Sequence, residues 1–243
     1  MKRLKSKFSV ISLALIMSLS LAACAPSQEP AQEAPQAPVE STETEQVEEA
    51  DVVKDAANAY FANMPENIYK IDEKELVEKV KAEEDILVVD IRSNEDYNKG
   101  HLKNAVNIPW GPAIAENLEN LPVDKDIYLY CYTGQTAGQA TALLNMAGYN
   151  VRSINLGWKL GLSNVEGIEE VTQTEAVELV KSTPADIAPE LKDAIKVYFD
   201  ELVAAKGTTY ENHKISEDDA KALLDAKDET IQFLSVRKAE DYA

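Results

Sequence analysis

Hydrophobic positions in the middle of the chain form short runs that are separated by amphipathic stretches. The runs 86–91 and 127–130 are nearly continuous and of strand length, which is typical of parallel strands covered on both faces. Residues 136–147 instead carry apolar side chains at helical spacing and are followed by Gly148, which predicts a capped helix. Further strands are predicted over 105–108 and 150–155, and further helices over 55–63, 73–81 and 112–121. This alternation predicts an α/β fold, with a parallel sheet between two layers of helices.

The first residues have the pattern of a leader. Basic residues at the start precede an apolar stretch over residues 8–21, which is too short and too early to be typical of a membrane-spanning helix. Small residues then precede Cys24. The sequence over 21–24 resembles the lipobox of bacterial lipoproteins, and an ordinary secretory signal is the alternative. The resemblance implies that residues 1–23 are a signal peptide, that Cys24 carries acyl chains such as palmitate, and that the protein is membrane-anchored on the extracytoplasmic face.

Residues 24–51 have the composition of a disordered tether. They are rich in Glu and Pro and contain no Lys, Arg or aromatic residue. Such a stretch cannot bury enough apolar surface to offset the entropy of ordering it. We therefore predict an extended segment between the lipid anchor and the folded part of the chain.

Composition excludes two classes of protein. The 243 residues include 43 Asp and Glu against 24 Lys and Arg, for a formal net charge of -19. A surface this acidic repels phosphate backbones, so we expect no nucleic-acid partner. The two cysteines, Cys24 and Cys131, are too few for a disulfide-rich scaffold, and no cluster of Cys and His predicts a metal site.

The chain partly repeats itself. The pattern Arg-x-x-Glu-Asp-Tyr at 92–97 recurs at 237–242, and Lys-Asp-Ala at 54–56 recurs at 192–194. These repeats indicate a tandem duplication. We predict a first domain over 52–165, a linker with a helix over 166–189, and an incomplete second copy over 190–243 that includes a strand at 231–236. The second copy is too short to bury a core by itself, and we expect it to be truncated.

Cys131 lies where a buried strand meets a helix. Several N–H groups at a helix N-terminus lack intrahelical partners, and the helix dipole carries roughly half a positive charge there. A turn that closes over the sulfur can direct these N–H groups at it and stabilise a thiolate, and Gly134 permits such a turn. The pattern predicts a reactive cysteine, with a buried structural thiol as the alternative.

Three motifs, in this order, resemble those of the rhodanese-homology domain, a sulfurtransferase family. They are Asp90-Ile91-Arg92, the stretch 100–109 and the Cys131 loop, and Gly157-Trp158 falls where the family has a glycine and a tryptophan. The resemblance covers about residues 70–165. It implies a rhodanese-like fold and a double displacement, in which a cysteine thiolate takes a sulfane sulfur from a small donor and passes it to a thiol acceptor. Cys131 would carry this sulfur as a persulfide. The residues whose N–H groups would bind it are Tyr132, Thr133, Gly134, Gln135, Thr136 and Ala137.

The loop departs from the family pattern in its charge. Many members have an arginine at the end of the loop that helps to bind an anionic donor such as thiosulfate, whereas residues 135–137 are uncharged. The loop therefore favours a neutral or protein-borne persulfide as the sulfur donor, and the sequence does not determine which donor is used. A cysteine phosphatase would need an arginine at the position of Ala137, and a disulfide oxidoreductase would need the motif C-x-x-C. The sequence has neither feature, which argues against both activities. The remaining alternative is a non-catalytic module that binds or senses sulfur species.

The other polar residues of the motifs are predicted to have structural roles. We expect Asp90 and Arg92 to form a hydrogen-bonded pair that supports the end of the sheet, and His101 to fix the segment before the second strand. Nothing in the sequence requires a metal or another cofactor. The expected partners are a small sulfur donor, a thiol acceptor and, through Cys24, the lipid bilayer.

Overall fold

The computed structural model describes residues 41–227 and 230–242. The predicted signal peptide, Cys24 and the first part of the predicted tether lie outside the described residues. Helix α1 begins at Ser41, inside the segment predicted as a tether, and ends at Ala62. The last proline of the tether is Pro38, so no proline ring interrupts the helix between Ser41 and Ala62. The helix predicted over 55–63 therefore starts earlier than its apolar pattern indicates.

A five-stranded parallel sheet forms the centre of the fold, in the order β1-β6-β5-β2-β4. The chain supplies these strands as β1 (Lys70–Ile71), β2 (Leu87–Asp90), β4 (Val106–Asn107), β5 (Asp126–Tyr130) and β6 (Asn150–Ile154). A separate antiparallel pair joins β3 (His101–Leu102) to β7 (Thr172–Gln173). The remaining helices are α2 (Glu73–Lys81), α3 (Asn94–Lys99), α4 (Pro112–Glu116), α5 (Gln135–Met146), α6 (Gly157–Leu160), α7 (Pro189–Ala204) and α8 (Glu217–Ala226).

Buried side chains fall into two clusters, one on each face of the sheet. Ile127 and Leu129 of β5 pack with α5 and α7 on one face, whereas Tyr128 and Tyr130 pack with α2 on the other. This alternation follows from the two-residue period of a strand. Cys131 continues the alternation and joins the face that α5 covers. The prediction of a parallel sheet with helices on both faces is confirmed.

Helix α7 completes the core on the α5 face. Ile195, Phe199 and Leu202 are buried in the same cluster as the sheet residues. The recurrence of residues 54–56 at 192–194 puts Phe199 at the position that corresponds to Phe61. Phe199 is nevertheless 0% exposed, whereas Phe61 is 68% exposed. The first helix of the predicted second copy thus belongs to the core of the first domain.

Three local predictions are wrong. No strand forms over the described residues 231–236, where Leu234 and Val236 are exposed without a neighbouring strand. An apolar run needs a partner ladder to become a strand, and this run has none. The helix predicted within the linker 166–189 is reduced to a 3₁₀ turn at Ile168–Val171, and the short strand β7 follows this turn. The helix predicted over 112–121 ends at Glu116 and continues as a 3₁₀ turn at Leu118–Asn120.

Within residues 41–227 and 230–242, no helix has both the length and the apolar content needed to cross a bilayer.

Candidate active site

The Cys131 loop connects β5 to α5 through a single left-handed residue. Gly134 has φ of 90°, and its N–H donates a hydrogen bond to Cys131 Sγ at 3.2 Å. A Cβ at Gly134 would lie 2.3 Å from the carbonyl oxygen of Asn155. Only glycine therefore combines this backbone conformation with this close approach to the chain after β6.

Further N–H groups of the loop lack acceptors in the part of the chain that the structure describes. Those of Thr133, Gln135 and Thr136 form no hydrogen bond to any residue that the structure describes. Two of these residues lie in the first turn of α5, where N–H groups lack intrahelical partners and the helix dipole favours negative charge. The loop can therefore stabilise an anion that is bonded to, or lies just beyond, Sγ.

Helix α6 fixes the backbone of the loop. The N–H of Trp158 donates to the carbonyl of Cys131 at 2.8 Å, and the N–H of Lys159 donates to the carbonyl of Tyr132 at 2.8 Å. Because a trans peptide is planar, holding these carbonyls also fixes the N–H groups of Tyr132 and Thr133 on the opposite side. Gly157 makes the contact possible, since a Cβ there would lie 2.6 Å from the Cys131 carbonyl. The Gly157-Trp158 motif thus acts through its main chain.

The Cys131 side chain is almost fully enclosed. The residue is 2% exposed and packs among the apolar side chains of the α5 face. Its sulfur nevertheless faces a main-chain donor, the N–H of Gly134. The thiol thus lies at the boundary between the apolar core and the polar backbone of the loop.

Asp90 and Arg92 form a buried ion pair at the end of β2. Arg92 Nε donates to both carboxylate oxygens of Asp90 at 3.0 Å, and Nη2 donates to Oδ2 at 2.6 Å and to the carbonyl of Gly100 at 2.7 Å. Burial lowers the pKa of a guanidinium, but the Asp90 carboxylate outweighs this and holds the pKa of Arg92 above its usual value. The guanidinium also lies 4.4 Å from the centre of the Trp158 ring, which connects the pair to α6.

His101 is held between two main-chain carbonyls. Its Nδ1 lies 2.8 Å from the carbonyl oxygen of Tyr97 and its Nε2 lies 3.1 Å from that of Glu175. The imidazole is fully buried and stacks on the Tyr97 ring at 3.6 Å. The buried ring thus lies between α3 and the segment after β7, as a residue with a structural role would.

Tyr132 forms one wall of a cleft beside the loop. Its hydroxyl donates to Asp96 Oδ2 at 2.6 Å and accepts from the N–H of Ser93 at 3.2 Å. Hydrogen bonds from Lys99 and then Tyr132 lower the pKa of Asp96 to about 2. The carboxylate therefore stays ionised in mildly acidic solution, and this attachment of Tyr132 persists there. The cleft measures about 420 Å³, and its lining also includes Trp158, Lys159 and Arg92.

The structure brings together most of the residues that the motifs predicted, and it adds Lys159 and one residue from a distant segment. Residues 131–137 form the connection after β5 and the first turn of α5, and Asp90 and Arg92 lie at the end of the neighbouring β2. The residue from the distant segment is Lys214, whose Nζ donates to Gln135 Oε1 at 3.3 Å. A separation of 79 positions leaves no local sequence signal for this contact. The described part of the chain contains no cluster of three or more His, Cys, Asp or Glu side chains that could bind a metal ion.

Comparison with known proteins finds a match to a family model. Residues 72–163 match the model of the Rhodanese-like domain. A protein of Allochromatium vinosum named Sulfurtransferase is 33% identical over 89 residues, which are 37% of this chain and 81% of that protein. YtwF of Bacillus subtilis, whose name also includes the word sulfurtransferase, is 30% identical over 95 residues, which are 38% of this chain and 91% of that protein. The crystal structure of the BH2092 protein from Bacillus halodurans is 30% identical, covers 42% of this chain and 76% of that chain, and gives a TM-score of 0.36.

Proposed function

The chain belongs to the family of rhodanese-like domains, and from this premise we propose that it is a sulfurtransferase that carries sulfane sulfur on Cys131. The observation that carries the proposal is the N–H of Gly134 at 3.2 Å from Sγ, with further N–H groups of the same loop that have no acceptor among the described residues. Such a loop stabilises a thiolate before transfer and a persulfide anion after it. Relatives that are named sulfurtransferases support the same activity.

The proposed reaction is a double displacement. The Cys131 thiolate attacks the outer sulfur of a donor such as thiosulfate. A sulfur–sulfur bond forms at Cys131, the sulfur–sulfur bond of the donor breaks, and sulfite leaves with the bonding electron pair. An acceptor thiolate then attacks the outer sulfur of the persulfide and forms a persulfide of its own, while the electron pair of the broken bond returns to Sγ. The cycle consumes no external oxidant or reductant.

Enclosure of the thiol limits the shape of the donor. Because Cys131 is 2% exposed, a donor must reach Sγ with a single terminal atom. Thiosulfate and small persulfides both present their transferable sulfur at one end, so we include both in the proposed substrate class. Small thiols are the corresponding acceptors.

Sulfur loading tests this function. We expect that the protein, when incubated with thiosulfate or a small persulfide, gains the mass of one sulfur atom at Cys131, and that cyanide removes it as thiocyanate. Intact-mass spectrometry before and after cyanide measures both steps. If no donor gives a cyanide-labile adduct, the activity is excluded and the non-catalytic binding module takes its place.

We also propose that acylated Cys24 anchors the protein to the cell membrane on its extracytoplasmic face. The support is the small-residue pattern before Cys24 and the basic, apolar leader that precedes it. In a bacterial host, the full chain should partition into the detergent phase, whereas a Cys24→Ala variant should be free of lipid. Detergent-phase partition of the variant equal to that of the natural sequence would contradict the anchor.

A further inference from the structure

Lys214 places an ammonium group at the Cys131 loop. Its Nζ donates to Oε1 of Gln135, and Gln135 directly follows the residue whose N–H bonds Sγ. Lys214 is half-buried and forms no ion pair with any residue that the structure describes. Its charge is therefore available at a loop that has no cation of its own between Tyr132 and Ala137.

The segment that carries Lys214 is attached firmly on its N-terminal side. Asn212 Oδ1 accepts a hydrogen bond from Trp110 Nε1 at 3.0 Å, and the His213 ring stacks on Tyr198 at 4.7 Å. Asn212 and His213 both have left-handed φ values, 60° and 51°. Non-glycine residues adopt this conformation at a cost that neighbouring contacts must offset. These two attachments therefore determine where Lys214 lies relative to the loop.

Lys214 is also surrounded by acidic residues. A cleft of about 530 Å³ beside Gln135 is lined by Lys214 together with Glu211, Glu217 and Asp219. Lys214 is the one cation among the described residues that line this cleft. Without it, every charged side chain among the described residues that line this cleft would be negative, in a protein whose net charge is already -19. Such a surface repels anionic donors.

We propose that Lys214 determines donor specificity, because it lets small anions that carry a terminal sulfane sulfur and anionic oxygens reach Cys131. This inference rests on the proposed sulfurtransferase function. In a donor such as thiosulfate, the oxygens lie two bonds beyond the sulfur that Sγ attacks, so the ammonium can bind them without contacting Sγ. The charge that the loop lacks in sequence is thus supplied by a distant segment, and this charge favours the anionic members of the proposed substrate class.

Two reagents that differ only in charge test this role independently of sulfur transfer. Iodoacetate and iodoacetamide both alkylate a cysteine, and the ratio of their rates at Cys131 reports the local potential. We expect Lys214→Gln to lower the iodoacetate-to-iodoacetamide ratio about fivefold and Lys214→Glu about tenfold or more, with smaller effects at high salt. Thiosulfate loading should fall in the same order. The matched control is Lys206→Glu, an exposed cation of the same segment that does not line the cleft.

The outcomes separate the two proposals. If thiosulfate and persulfides fail to load the natural sequence, the sulfurtransferase function fails, whereas the alkylation ratio still reports the effect of Lys214. If Lys214→Glu and Lys206→Glu have equal effects on the iodoacetate-to-iodoacetamide ratio or on thiosulfate loading, the proposed role of Lys214 is overturned. It is also overturned if neither reagent reacts with Cys131, because a thiol closed to both would be closed to small anionic donors.

Discussion

Replacement of Cys131 by serine is expected to abolish sulfur loading and to leave the fold intact. A serine hydroxyl can still accept the hydrogen bond from the N–H of Gly134, but it is not ionised at neutral pH and does not attack a sulfane sulfur. We expect turnover from thiosulfate or a persulfide to cyanide to fall by about 1000-fold or more. Thiocyanate release measures turnover, and intact mass measures loading.

The matched control for this experiment is Lys206→Gln, which changes an exposed side chain away from the loop. It should load and release sulfur like the natural sequence. Thermal unfolding of Cys131→Ser should match that of the control within a few degrees. A serine variant that still gains a cyanide-labile sulfur would locate the acceptor at another residue and contradict the assignment of Cys131.

A second large effect is expected from Gly134→Ala. The substitution forces a Cβ into a backbone with φ of 90° and to 2.3 Å from the carbonyl oxygen of Asn155. We expect the free energy of unfolding to fall by about 2–4 kcal/mol, since both backbone strain and a clash contribute. Sulfur loading should be lost even at temperatures where the variant stays folded, because the N–H that bonds Sγ must move. Urea unfolding and intact mass measure the two effects.

Gly138→Ala provides the matched control in the same helix. A Cβ at Gly138 meets nothing within 4 Å, and alanine is favoured over glycine inside a helix. This variant should be more stable by about 0.5–1 kcal/mol and should load sulfur normally. The geometric account of the loop would be wrong if the two glycine substitutions shifted stability in the same direction by similar amounts.

The sheet and the loop could be predicted because their signals are local. The apolar runs of β2 and β5 reflect strands that are buried on both faces, and the helical spacing of α5 reflects a helix that is buried on one face. Two-residue strands such as β1, β3 and β7 are too short to show a period, so no pattern indicated them. The run at 231–236 has the pattern of a strand, but pairing depends on a neighbour that the described structure does not provide.

The missing parts of the site depend on contacts that a local pattern does not encode. Trp158 and Lys159 hold the loop with main-chain N–H groups, and any residue except proline could donate these bonds. Lys214 reaches Gln135 from a segment that the repeat had assigned to a separate copy. The repeat was misleading in the same way for Phe199, whose burial places α7 in the core of the first domain. Two helices that are similar in sequence can lie in different environments of the fold.

Main-chain N–H groups at the start of α5 should respond directly to the sulfur that Cys131 carries, because they are the groups proposed to hold it. The most direct measurement follows the backbone amide signals of residues 132–137 by NMR, in isotope-labelled protein, before loading, after loading with one sulfur, and after cyanide. We expect the signals of Gly134, Gln135 and Thr136 to shift on loading and to return with cyanide, while those of a distant helix such as α2 stay in place. A loaded protein in which the loop signals do not move would contradict this role of the N–H groups.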